Sequence, residues 1–204
     1  NEGNTLSRYY ITESTGNCYG NTSYKWLKQK KEMYYFASKR GDKNYQAIAL
    51  VHNAWMYANL TDTFGDIPFS EASRVDECIT QPKFDKQKDI YLFLLDDLKE
   101  ANALFDTTKA LSEGDLFFQA NSNAANIVKW KKFCNSLSLR LLTRILKRNG
   151  EVNVHQRIIE IVNNPTTYPI FQNNADGVVL DISGVAPLMP PIARPQDFTA
   201  YRAS

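Results

Sequence analysis

The sequence has 204 residues, 43% of them hydrophobic and 23% charged, with a net charge of +2. This balance excludes intrinsic disorder and collagen-like order, and the length allows one large or two small domains with a true apolar core. The 24 Lys and Arg residues against 22 Asp and Glu are interleaved along the chain, leaving no basic excess to release counterions from a nucleic-acid backbone, so nucleic acid is not expected as a partner.

Residues 1–10 lack the charged-then-apolar pattern of a signal peptide, and no run of about 18 apolar residues exists to span a bilayer. Cys18, Cys78 and Cys134 are far apart with no CxxC spacing, which suggests neither a zinc site nor a disulfide framework. In the opening polar segment, Tyr19, Asn21, Tyr24 and Trp26 mix rings with hydrogen-bonding side chains and form no clean core stripe. Sugars present apolar CH faces and hydroxyl rims, so these four are the candidate glycan contacts, against the alternative that they pack the segment onto the helices.

Residues 21–40 predict a helix through Tyr24, Leu27, Lys31, Tyr34 and Tyr35, and the basic run Lys25–Lys31 reads as its solvated face. A Gly41-Asp42 break then starts a helix over 43–61, with Tyr45, Ile48, Ala49, His52, Trp55, Met56 and Leu60 as the inward stripe. Gly65, suited to a left-handed exit, and Pro68, without an amide, end it. A helix over 86–105 follows, with Asp85 expected to accept the free amides of its first turn and Tyr91, Leu94, Leu95, Leu98, Ala101 and Phe105 facing inward. Asp96 and Asp97 read as a solvated edge.

After a polar break over 106–125, the longest stripe, Ile127, Trp130, Phe133, Cys134, Leu137, Leu141 and Ile145, predicts a central helix over 126–148. Asn149-Gly150 reads as its stop, and 151–163 predict one more helix ending at Asn163-Asn164-Pro165. From Pro165 onward, prolines 165, 169, 187, 190, 191 and 195 predict irregular chain, with one short strand at Val178–Leu180 and a second candidate binding surface at 172–202. The expected fold is mainly α: packed helix pairs in the manner of tetratricopeptide repeats, with long irregular loops.

The chemistry-bearing residues read as structural. Asp62 and Asp66 with Glu71 are the only tempting acid pair for glycoside chemistry, and a local reading fits them better, with both aspartates bonding free backbone groups at the helix end. Trp130 needs a partner for its N–H, and Asn135, on a packed helix with Arg140 and Arg144, is expected to tie down a neighbouring loop. His52 and His155 stand singly, so no metal is expected, and no nucleotide, nucleophile-elbow or zinc-protease motif points to a cofactor or to an enzyme.

The run LTDTFGDIPFSEA at 60–72, directly after a helix carrying Trp55, resembles the signature of the SusD/RagB family of outer-membrane nutrient-binding lipoproteins. It is followed in order by KFDKQKDIYLFLLDDLKEANALF at 83–105, GDLFF at 114–118, KWKKFCNSLSLRLLTRI at 129–145 and NNPTTYPIFQNNAD at 163–176. The resemblance covers roughly 40–204. It implies a non-catalytic protein that binds an oligosaccharide or polysaccharide and delivers it to a SusC-like TonB-dependent transporter at the extracellular face of the outer membrane. Members carry an N-terminal lipid anchor and are usually more than twice as long, so the chain is expected to be the N-terminal helical part of such a protein, with 1–40 as an N-terminal segment, 41–164 as helical core and 165–204 as a Pro-rich loop region. The reading from another class is a helical-repeat scaffold that binds peptide or protein partners on a concave face.

Overall fold

The computed structural model describes residues 13–74, 77–112, 115, 117–118, 124–179, 182 and 184. Its elements in chain order are α1 (Glu13–Arg40), α2 (Lys43–Phe64), β1 (Ile67–Pro68), β2 (Phe84–Asp85), α3 (Gln87–Leu104), α4 (Ala124–Arg144), α5 (Asn149–Val152) and α6 (Val154–Asn163). None of the described helices is long and apolar enough to cross a membrane.

Gly41, at φ 72°, turns the chain between α1 and α2, and the Asp42 side chain accepts the Tyr45 amide as the N-cap. The two helices therefore run antiparallel, with the Tyr24 and Tyr57 rings edge to face at 6.3 Å. Helix α3 returns antiparallel to α2, because Asp62 meets Tyr91, Asn53 meets Asp97 and Asn44 meets the backbone at Asp106. That brings α1 alongside α3 in parallel, where the Tyr34 hydroxyl donates to Glu100. This is the packed-pair arrangement expected from the stripes.

Helix α2 lies between its neighbours, which decides its burial. Ala47, Ala49, Ala54 and Ala58 are nearly inaccessible and let helices approach from several sides, so no single stripe faces the core. The expected inward stripe is correct at Ile48, Ala49 and Leu60 but not at Trp55, which is 43% exposed. Helix α4 packs on α3 and α6 through Ile127, Trp130, Cys134, Leu137 and Leu141, all buried, and the Cys134 thiol donates to the Leu98 carbonyl. Burial pushes that thiol's pKa up.

Several boundaries differ from the sequence reading. Helix α1 begins at Glu13 rather than near 21, so Tyr19 lies on the same helix as Asn21, Tyr24 and Trp26. Helix α4 ends at Arg144, tightens into a 3-10 turn at Leu146–Arg148 and runs into α5, so Asn149-Gly150 is not the stop. The break comes at Asn153, whose left-handed φ of 53° an Asn tolerates, and the Asn149 side chain reaches forward to accept the His155 amide. Val178 and Val179 take no strand conformation, and Leu180 lies outside the described residues. The strands among the described residues are β1 and β2, paired antiparallel with Ile67 opposite Asp85 and Pro68 opposite Phe84. Two-residue strands carry too little periodicity to be read in advance.

Candidate functional site

The corner after α2 is held by bonds that the sequence placed one residue set away. Gly65 takes φ 77° and ψ −123°, its amide donates to the Thr61 carbonyl at 2.8 Å, and the Thr61 hydroxyl donates to the Gly65 carbonyl at 2.7 Å. Asp66 then reaches across to the start of α3, accepting the Gln87 amide at 3.0 Å and the Lys86 ammonium at 2.7 Å. Those donors, the lysine side chain first, hold its carboxyl below the usual aspartate range. Asp85 does not cap α3 as expected. Pairing with Ile67 turns its side chain back over the first corner, where it accepts the Phe69 and Ser70 amides and the Ser70 hydroxyl.

Among the described residues, Asp62 bonds no backbone group. Its carboxylate accepts the Tyr91 hydroxyl at 2.5 Å from α3 and pairs with Arg144 at 2.9 Å from α4. Burial and then this hydrogen bond push Tyr91 up to about 12. Glu71 accepts the Lys83 amide at 2.9 Å, and the Tyr24 hydroxyl donates to the Pro68 carbonyl at 2.7 Å. The corner thus pins α1, α2, α3 and α4 to one another, and each of its three acids is held by separate partners.

A second buried assembly surrounds Trp130. The indole N–H donates to Asp115 at 2.6 Å, and the other Asp115 oxygen accepts the Phe117 and Phe118 amides. His52 lies 5.2 Å from the Trp130 ring, with its Nδ1 3.1 Å from the Ile48 carbonyl. Burial, with the charge of Lys30 adding to it, presses its pKa down to about 4, which keeps the ring neutral. On the other side of α4, Asn135 donates to the Pro169 carbonyl at 3.0 Å, the Ser136 hydroxyl accepts the Phe171 amide and Lys132 pairs with Asp176 at 2.7 Å. The expected tie from Asn135 to a neighbouring loop is present. Arg140 departs from its expected role, because it lies off the Leu137–Leu141 face and its exposed side chain has no partner among the described residues.

Helical spacing splits the four candidate sugar contacts into two pairs. Tyr19 and Trp26 are seven apart on one line of α1, and Asn21 and Tyr24 are three apart on another. Tyr24 is half-buried against Tyr57 and tied to Pro68, Asn21 is exposed, and Trp26 is 53% exposed. The Tyr24–Tyr57 register places Trp55 at the height of Trp26 on the antiparallel helix, so two accessible indoles stand level on the hairpin. Of the second surface at 172–202, only 172–179, 182 and 184 lie within the described residues.

A family model of the SusD-like type, described as starch-binding and associating with the outer membrane, matches residues 1–204. The chain belongs to the SusD-like family. No curated protein matches it. Among solved structures, the SusD-like chain is similar to a chitin-binding protein, at 26% identity and a TM-score of 0.70, over 85% of this chain and 36% of that one. It is also similar to a SusD homologue from Bacteroides fragilis, at 25% identity and a TM-score of 0.67, over 86% of this chain and 36% of that one. A SusD-like protein from the Bacteroidetes matches at 28% identity and a TM-score of 0.64, over 84% of this chain and 30% of that one. The chain spans about a third of the length of these relatives.

Within this SusD-like frame, the sequence reading missed the cleft that the helices make together. Leu27, Lys30, Tyr34, Asn53, Tyr57, Phe69 and Arg74 come from α1, α2 and the chain after β1, and surround a space of about 300 Å³. Lys30 had been read as solvated helix surface. The available signal was a lysine three residues from Leu27 on the core-facing side, which periodicity alone does not separate from a surface lysine.

Proposed function

We propose that the chain is the helical part of a glycan-binding protein that works without catalysis, holding an oligosaccharide and passing it to a SusC-like TonB-dependent transporter. In this reading the full-length protein is anchored by lipid on the extracellular face of the outer membrane. Family membership supports the ligand class, and the chitin-binding relative supports it further. The observation that carries it for this chain is Trp26, a large indole left 53% exposed on α1 although the adjoining Leu27 is buried. An exposed tryptophan offers the apolar face on which a pyranose stacks.

Binding rather than hydrolysis is favoured by the state of the acids. Asp62, Asp66 and Glu71 are each engaged by their own donors, so these three do not form a free carboxyl pair of the kind a glycosidase requires.

The test is a glycan array of neutral and acidic polysaccharides probed with the full-length protein, followed by calorimetric titration of the bound glycan into Trp26→Ala. We expect binding without release of shorter products, and a loss of about tenfold or more in the variant. A full-length protein that binds no glycan, or one that cleaves its ligand, ends this reading.

A further inference from the structure

The cleft between α1, α2 and the Phe69–Arg74 segment has a one-sided charge. Three cations line it, Lys30, Lys31 and Arg74, and among the described residues no carboxylate does. Two of the three are occupied: Lys31 donates to the Ser73 carbonyl at 3.3 Å, and Arg74 pairs with Glu77 at 3.0 Å.

Lys30 differs. It is half-buried, and among the described residues it has neither a hydrogen-bond acceptor nor an ion-pair partner. The carboxylates that approach from neighbouring elements are already engaged: Asp85 by the Phe69 and Ser70 amides, Asp97 by Asn53, and Glu100 by Tyr34. Partial burial of an ammonium without a counter-charge costs free energy, and here it lowers the lysine's affinity for its proton. A half-buried ammonium at the wall of a cleft, with no partner among the described residues, is a position where an anion from outside can complete the pair.

The wall beside Lys30 is apolar and aromatic. Phe69, partly exposed, meets the buried Tyr57 edge to face with ring centres 4.7 Å apart, and Ala49, Leu50 and Ala72 line the cleft with them. A charged rim beside an apolar wall matches a six-membered sugar carrying an anionic substituent, with its CH face toward Phe69 and its charge at the ammonium.

We propose that this cleft binds the anionic group of an acidic sugar, a uronate or a sulfated residue, with Lys30 as the counter-charge. The inference rests on the glycan-binding reading above and narrows it to acidic glycans. Trp26 lies one turn before Lys30 on α1, so the cleft and the accessible indole are contiguous along the helix.

The experiment uses the full-length protein, titrated with an oligogalacturonate, a sulfated galactan oligosaccharide that contains no uronate, and neutral maltoheptaose, each at low and physiological salt. Wild type should bind one of the two acidic probes more tightly than maltoheptaose, and which one it prefers separates carboxylate from sulfate. Lys30→Gln should weaken that binding at least about tenfold and flatten its salt dependence, while Lys30→Arg should retain most of it. Circular dichroism melts of both variants establish that they fold. Equal acidic-glycan affinity in wild type and Lys30→Gln overturns the proposal, as does binding of neutral glycans alone, which leaves the general glycan reading intact. Failure to bind any probe or any glycan on the array overturns both.

Discussion

The Trp130 indole N–H meets the Asp115 carboxylate 2.6 Å away in a site where the aspartate is 6% exposed and the tryptophan 2%. The same carboxylate accepts two backbone amides, so one side chain satisfies three donors in the wall of the α4 packing. Replacing Asp115 with Ala leaves all three unsatisfied. We expect Asp115→Ala to cost about 3 kcal/mol in urea unfolding and Trp130→Phe, which removes one donor and little volume, about 1–2 kcal/mol. If the alanine variant unfolds at the wild-type urea midpoint, the carboxylate does not organise this wall.

Gly65 holds φ 77° and ψ −123°, a combination that a side-chain-bearing residue adopts only under strain, although open space surrounds the position. Gly65→Ala should therefore destabilise by about 1–3 kcal/mol through backbone strain alone. A urea midpoint equal to wild type would show that the corner relaxes at no cost.

His52 should respond to acid by weakening the fold. Its pKa falls from an ordinary 6.5 to about 4 in the folded chain, so the folded state binds its proton less well than the unfolded state does. The stability it contributes is present above about 6.5 and is lost as pH falls toward about 4. NMR of the ring should show no titration between pH 8 and 5, and a ring that titrates near 6.5 would place it in contact with solvent.

Asp97 acts with the opposite sign. It was read as part of a solvated edge, but it is half-buried with Asn53, and burial raises its pKa to about 6. The folded state binds this proton more tightly, so stability is greatest below the ordinary aspartate pKa and declines as pH rises to about 6. Asp97→Asn should stabilise the chain at pH 7 by about 1–3 kcal/mol and leave it unchanged near pH 3. Equal stability of variant and wild type at pH 7 would mean that the carboxylate is fully hydrated.

The residues that the sequence reading placed correctly share a property: local spacing or local chemistry determines them. The Gly41-Asp42 break starts α2, Asn135 holds the 169 loop, Trp130 finds an acceptor and Cys134 is buried. The misplaced ones depend on what lies across space. Asp66 and Asp85 exchange their expected tasks because β1 pairs with β2, and Trp55 faces outward because alanines let α2 pack on several sides.

By itself the sequence determined the helical class, the order of the elements and the family, since apolar periodicity and a contiguous signature are properties of neighbouring residues. Only the tertiary structure decided which charges are paired. Lys30 and Lys31 are adjacent in the chain and equally basic on paper, yet Lys31 finds a carbonyl while Lys30 stands half-buried over a cleft without a partner among the described residues. Pairing depends on distances between helices that no local pattern encodes.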